Sequence, residues 1–467
     1  MNNTYFDLVD QTFYFPQDGF SLEKKDNSLL FNEIPLVELI EKYGTPLKVS
    51  YLPKISEQIN KAFTWFDNAM KKHDYKGKYF YSYCTKSSHF RFVLNEVLKN
   101  ITQLETSSSF DIDLVWKLYN TGKINKNAII VNNGFKPKDY AEKISGLINE
   151  GFKNVIPVLD NKRELDFYQE FVTKENMNIG LRVATEEEPN FEFYTSRLGI
   201  RQASLMDFYK NKIEPNPKFT LKMLHFFVDT GIKDNLYYWS ELKKGIRTYC
   251  ELRKVCPTLS AINIGGGMPI RNSLSFEYDY QYMVDEIVRL IKDACLQENV
   301  PEPDIFTEFG KFTVGESAAT IFSVIGQKRQ NDSERWYMID NSIMNTLPDA
   351  WGIGERFVLL PINHWDKEYH RVNIGGISCD NSDYYNAEVH MNQVFLPKVD
   401  SEDEPLYLGF FHTGAYQDSL SGFGGVKHCL IPGPKHILVD KNVRGEFVDW
   451  MATPEQTAES MLAILGY

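Results

Sequence analysis

A lysine closes the run KYFYSYCTK (78–86), in which aromatic and small polar side chains alternate as on a half-buried strand. Such a strand delivers Lys86 to its end, and an amine drawn out of water there loses proton affinity and becomes able to condense with an aldehyde. Taken alone, a strand-end lysine is far more often a solvated or ion-paired charge. Three other features change that balance. INIGGG (262–267) places Gly265, Gly266 and Gly267 at a strand end, where no Cβ keeps backbone N–H groups from a phosphate; the bland reading of the triplet is a flexible turn. Glu308, in FTEFGKF (306–312), ends another strand and could keep a pyridine nitrogen protonated, although without a ring to face it would read as a surface glutamate. LHFFVDTG (224–231) offers His225 and Phe227, either of which could lie flat on a ring; two residues apart on a strand, they share a face, and spacing does not choose between them. An amine, a phosphate nest, a carboxylate and a flat side chain are together what pyridoxal phosphate requires.

The elements that must position these residues repeat. KYFYSYCTK, ITQLETSS, NAIIVNNG, NVIPVLDN, NIGLRVAT, LKMLHFFVDT, AINIGGG and DIFTEFG each precede a segment of helical period, such as KDYAEKISGLINEG. Eight βα units over roughly 240 residues predict an α/β fold of the closed (β/α)8, TIM-like barrel type, with chemistry at the C-terminal strand ends. An open doubly wound sheet is the alternative. On the barrel register Lys86, Glu105, Arg182, His225 to Thr230, Gly265 to Gly267, Glu308 and Lys311 face one cavity. After about residue 317 strand-like runs continue without intervening helices (ATIFSVIGQ, RWYMID, FVLLPI, RVNIGGISC, PLYLGFFHTGAY), which predicts a second, β-rich sandwich or barrel domain. The first forty or so residues lack the βα rhythm and are expected to join it. The expected division is 45–317 for the barrel, and 1–44 with 318–467 for the β-rich domain.

Bulk properties narrow the partners. A formal charge of −12 over 467 residues opposes broad attraction to nucleic acid or anionic lipid and suits a cationic ligand. The N-terminal stretch lacks the basic and apolar pattern of a leader, and no apolar run reaches bilayer length, so cytoplasmic residence is the expectation. Six cysteines show neither a CxxC pair nor finger spacing, which indicates reduced thiols and no metal site. In the second domain Cys379 stands beside two aspartates in NIGGISCDNSDYYN (373–386); a lone cysteine of this kind is more often packing than an acid catalyst.

Read together, these stretches resemble the pyridoxal-phosphate decarboxylases of the alanine-racemase-like barrel type, over about residues 45–430. YCTK resembles the family's YAxK element, INIGGG its phosphate loop, EFGK its EPGR, SCDNSD its CDSxD and GAYQ its GAY, all in the family's order. VNNGFKPKDY (131–140), TLPDAWGI (346–353) and LGFFHTGAYQ (408–417) look most like the family's members that act on arginine. The resemblance implies that Lys86 bonds the cofactor aldehyde, Glu308 pairs with the pyridinium nitrogen and Arg182 lies near the cofactor oxygen. Gly265 to Gly267 and Tyr416 would hold the phosphate. Cys379 would return a proton to the former α-carbon, acting across a homodimer interface into the partner's barrel. Asp380 and Asp383 would meet the cationic end of the substrate, with Asp349 and Glu388 as further acidic candidates.

Two departures stand out. Lys311 replaces the arginine of EPGR, exchanging a bidentate fork for a point charge. Alignment of LHFFVDTG on the family's HxGS puts Phe227 at the histidine and Thr230 at the serine. The implied activity is decarboxylation of a basic amino acid, arginine to agmatine and carbon dioxide foremost, as a step in polyamine biosynthesis. Ornithine, lysine, diaminopimelate and carboxynorspermidine are the alternative substrates. A non-catalytic binding homologue would be expected to lose Lys86 or Cys379, and racemisation would need a second proton donor. Magnesium is a further ion to test.

Overall fold

The computed structural model describes residues 15–174, 176–186, 194–389, 393–399 and 404–467. The chain divides into two units. One takes residues 56–269 and 279–313; the other takes the described residues up to 55, 270–278 and the described part of 314–467.

In chain order, β1 (Phe20–Leu22), β2 (Leu29–Phe31), β3 (Ile34–Pro35) and β4 (Leu47–Tyr51) precede the barrel strands. These are β5 (Tyr79–Cys84), β6 (Gln103–Thr106), β7 (Ile129–Asn132), β8 (Asn154–Leu159), β9 (Met177–Arg182), β10 (Phe219–His225), β11 (Ala261–Asn263) and β12 (Asp304–Glu308). All eight pair in parallel and close on themselves, β12 meeting β5, so the expected (β/α)8 barrel is what forms and the open sheet is not. Parallel strands flanked by helices are buried on both faces, and NVIPVL in β8 accordingly buries five of its six residues. Val131, Ile156, Val158, Met223, Ala261 and Phe306 pack together, with Phe80 stacked on Phe306 at 4.6 Å. Three of the helices start where a side chain accepts an orphan N–H group: Ser108 from Asp111, Asn235 from Tyr238 and Asp279 from Tyr282.

The other unit is β-rich, as expected. Its later strands are β13 (Ala318–Arg329), β14 (Arg335–Ile339), β15 (Val358–Pro361), β16 (Tyr369–Gly375), β17 (Tyr384–Tyr385), β18 (Val394–Pro397), β19 (Tyr407–Phe411), β20 (Lys435–Lys441) and β21 (Phe447–Thr453). The long β13 pairs antiparallel with β4, β14 and β19, and β4 lies parallel to β20. The three-stranded sheet β1–β2–β3 joins this unit's core through Phe20 and Phe31, which both pack on Phe411 at 5.0 Å. Among the described residues no helix is long and apolar enough to cross a membrane.

Candidate active site

Parallel register brings a polar set to the C-terminal ends of the barrel strands. His225 stands opposite Arg182 on one side and Asn263 on the other, while Cys84 stands opposite Glu105. Lys86 follows β5 on the one-turn segment Thr85–Ser87 and is exposed, whereas Thr85 and Ser87 on either side are buried. Two contacts fix that turn: the Thr85 hydroxyl donates to the Glu105 carbonyl at 3.1 Å, and Cys84 Sγ to the Glu308 carbonyl at 3.1 Å.

Glu308 is the most heavily supported group. Its Oε1 accepts from Asn133 Nδ2 at 2.7 Å and Asn263 Nδ2 at 2.6 Å, and its Oε2 lies 3.1 Å from His225 Nε2. Burial by itself would raise its pKa. The charge and hydrogen bond of His225, with the hydrogen bonds of the two asparagines, outweigh burial and hold the carboxyl at about 2. Glu105 has the opposite fate. It is 1 % exposed, its Oε2 has no hydrogen-bond partner, and burial next to the Glu308 charge pushes it up to about 7 despite the pull of Lys86. Burial draws the Arg182 guanidinium below its usual range, against the attraction of Glu308, Asp160 and Glu105.

The glycine triplet forms a close-packed cradle. A Cβ on Gly266 would lie 2.5 Å from the Glu308 carbonyl oxygen, and one on Gly267, at φ +91°, would lie 2.6 Å from Gly231 Cα. Gly265, at φ +71°, donates its N–H to Asn263 Oδ1 at 2.9 Å and accepts from the Glu308 N–H at 2.8 Å, so this loop and the carboxylate share one frame. Phe227 is half-buried and packs on Gly265, whose Cβ would meet its ring at 2.9 Å. Thr230 follows with a buried hydroxyl that lacks a partner. Lys311 opens the short helix Lys311–Val314. Asn133 and Asn263 were not singled out from sequence; their signal was an amide side chain at a strand end, in VNNG and AINIGGG. Lys136, inside VNNGFKPKDY, is buried against Glu164 at 3.1 Å and reads as structural support.

The remaining candidates belong to the β-rich unit. Cys379 is exposed on the turn after β16, with its Sγ 3.4 Å from Cys429 Sγ; that hydrogen bond raises its thiol pKa. Asp380 is exposed and lies 3.9 Å from His428 Nε2. Asp383 is buried and accepts the Met344 N–H on Oδ1 and the Ser378 N–H on Oδ2, both at 3.2 Å. Asp349 is buried and accepts from Gln417 Nε2 at 2.7 Å. Burial pushes Glu388 up to about 8. Tyr416 precedes the helix Gln417–Leu420 with φ +68°, a left-handed conformation that is rare for a tyrosine.

Pyridoxal phosphate can be tested against the barrel on its own observations. Unpartnered buried atoms (Glu105 Oε2, His225 Nδ1, Thr230 Oγ1), a cradle that a Cβ would fill, and an ionised carboxylate beyond an amine all suit a flat, phosphorylated, nitrogen-containing aldehyde. Fold and site together define a parallel barrel of the kind that holds such a cofactor at its strand ends. Residues 56–315 match the family described as pyridoxal-dependent decarboxylase, pyridoxal binding domain, and the chain belongs to it. It is therefore a pyridoxal-phosphate-dependent decarboxylase.

Relatives of known name extend the likeness beyond the barrel. The biosynthetic arginine decarboxylase of Prochlorococcus marinus (strain MIT 9215) is 21 % identical over 96 % of this chain and 88 % of its own. Among solved structures, the biosynthetic arginine decarboxylase of Campylobacter jejuni superposes with a TM-score of 0.80 at 21 % identity, covering 97 % of this chain and 89 % of that one. The diaminopimelate decarboxylase of M. jannaschi gives a TM-score of 0.76 at 18 % identity, covering 96 % and 98 %.

Proposed function

We propose that this enzyme decarboxylates a basic amino acid, L-arginine, to agmatine and carbon dioxide, as a step of polyamine biosynthesis in the cytoplasm. The observation that carries the substrate reading is the near full-length likeness to a protein named biosynthetic arginine decarboxylase. The exposed Asp380 supports it, because a guanidinium is recognised best by a carboxylate offered as a fork; Asp383 and Asp349 have engaged oxygens, and Glu388 is pushed up to about 8.

When bound, pyridoxal phosphate supplies the aldehyde and the electron-withdrawing ring. Lys86 supplies the amine that tethers that aldehyde. Glu308 keeps a proton on the ring nitrogen, a role its depressed pKa supports, and Arg182 and Glu105 complete the buried charge frame beside it. His225, held against Glu308, belongs to the same frame, which leaves Phe227 as the flat face. The N–H groups of Gly266 and Gly267, the Thr230 hydroxyl, Lys311 and Tyr416 hold the phosphate, while Gly265, its N–H given to Asn263, shapes the loop. Cys379, its thiol kept protonated by Cys429, delivers a proton to the former α-carbon within the partner subunit's barrel, so the active form is a homodimer. Asp380 receives the cationic end of the substrate; Asp383 and Asp349, with oxygens engaged by backbone and Gln417, shape the segments around it.

No residues are assigned to magnesium: among the described residues no group of three or more His, Cys, Asp or Glu side chains is placed to hold a metal ion. The test is a substrate panel on the cofactor-supplemented protein, with and without magnesium, following labelled carbon dioxide from arginine, ornithine, lysine and diaminopimelate. Arginine is expected to lead. A protein that takes up the cofactor yet releases nothing from arginine overturns the reading.

A further inference from the structure

Four of the six cysteines, Cys84, Cys250, Cys256 and Cys295, are buried; the two exposed ones, Cys379 and Cys429, are each other's neighbours. They lie fifty residues apart in the chain, on two different loops. Both loops are tied to one segment. Ile377 N–H donates to the Asn341 carbonyl at 3.1 Å, and Met344 N–H to Asp383 Oδ1 at 3.2 Å, which fixes the Cys379 loop. Asn345 donates to the His428 carbonyl at 3.0 Å and accepts the His428 N–H at 3.2 Å, while Asn341 donates to the Pro432 carbonyl at 3.0 Å, which fixes the Cys429 loop. Cys429 and Leu430 sit at φ +55° and +54°, a left-handed pair that holds the thiol out. Segment 341–345 thus holds the two sulfurs face to face.

We propose that Cys379 and Cys429 are a modification site, a thiol pair that a hydroperoxide converts to a reversible disulfide and so removes the proton donor. The switch rests on the proposed role of Cys379. The O–O bond of the hydroperoxide breaks and an S–S bond forms. The two sulfurs are oxidised and the peroxide is reduced, and the two thiol protons leave in one water and one alcohol (two waters for hydrogen peroxide). The sulfurs, 3.4 Å apart, must close to ~2.05 Å, a motion within reach of rotation about two exposed side chains. A dithiol reverses the step by thiol–disulfide exchange, as befits a transient bond in a reducing compartment.

The test treats the holoenzyme with hydrogen peroxide and follows intact mass, peptide cross-links and turnover in parallel. The expected result is the loss of two hydrogens, one cross-linked peptide joining 379 to 429, a ~100-fold fall in turnover, and recovery with dithiothreitol. Cys429→Ser should yield no cross-link under the same treatment, with oxygen added at Cys379 instead, whatever its starting turnover. Oxygen addition at Cys379 in the wild type without a cross-link overturns the inference and leaves the decarboxylase reading untouched. A complete cross-link with full turnover overturns the switch and Cys379 as proton donor together, while carbon dioxide release by the untreated enzyme tests the activity separately.

Discussion

Replacing Glu308 by glutamine separates charge from shape at the best-supported group of the barrel. Glutamine keeps one acceptor for Asn133 and Asn263 but turns the other oxygen into an NH2 that faces the N–H of His225. Two routes give the size of the loss. A carboxyl held at about 2 instead of the ordinary ~4.3 favours its ionised form by ~3 kcal/mol. For a protonated His225 ring, Coulomb's law at the 3.1 Å contact gives ~5 kcal/mol at an effective dielectric of ~20. The smaller figure already includes the opposing effect of burial, so it is the better guide, and ~3 kcal/mol is ~100-fold in a rate or equilibrium constant. The assay is kcat for arginine beside cofactor uptake and the circular dichroism of the same preparation. Turnover should fall ~100-fold while the fold persists and Lys86 still takes up the aldehyde. A folded, cofactor-loaded variant whose kcat lies within about threefold of wild type would refute the assignment of Glu308 to the ring nitrogen.

Lys86→Ala should abolish turnover, and borohydride should no longer fix the cofactor to the peptide that carries residue 86, which peptide mass mapping reads directly. Gly266→Ala puts a methyl 2.5 Å from the Glu308 carbonyl oxygen, a backbone atom that cannot rotate away. A loss of ~1–3 kcal/mol is expected in urea unfolding, with weaker cofactor binding in a titration of the cofactor-free protein. For Glu105, whose carboxyl is pushed up to about 7, the folded state binds more protons than the unfolded one between pH ~4.3 and about 7, so stability falls as pH rises through that window. Glu105→Gln should therefore flatten the pH dependence of the urea midpoint of the cofactor-free protein and raise it at pH 8 relative to wild type; an unchanged slope defeats the argument. Glu308, held down, has the opposite sign: its contribution is present above ~4.3 and lost as pH falls towards about 2, where Glu308→Gln should show a shallower acid transition.

The barrel could be read from the chain because its information is local. Each strand from KYFYSYCTK to DIFTEFG is a short β-branched or aromatic run followed by a helical period, and parallel pairing of consecutive strands needs nothing else. The β-rich unit was legible as a change of rhythm after residue 317, but its pairings were not. β4 lies between β13 and β20, partners some 270 and 390 residues away, and no periodicity in LKVSY announces them. The same difference governs the site. Lys86, Glu308 and the glycine triplet are conspicuous by type and position, whereas Asn133 and Asn263 matter only because register sets both amides on one carboxylate oxygen. Cys429 was invisible for a like reason: it faces Cys379 through two loops gathered by Asn341 and Asn345, fifty residues from its neighbour in sequence.

Glu105 and Glu308 show why one barrel can hold both a charged and a protonated carboxyl within the same set of strand ends. Both are buried, and each disfavours ionisation of the other. Only Glu308 is given compensating partners, two amides and an imidazole, so the negative charge settles there. Lys86 acts on Glu105 from the mouth of the barrel, yet its attraction is outweighed by burial and by Glu308. The result is a fixed negative charge beneath the site and a carboxyl beside it that resists taking a second, the separation of roles by environment that acid–base chemistry at one site requires. Exchanging the partners would exchange the roles: Asn263→Ala with Asn133→Ala should let the Glu308 carboxyl rise and the Glu105 carboxyl fall, which carboxyl-resolved NMR titration of the cofactor-free protein would detect as two shifts of opposite sign.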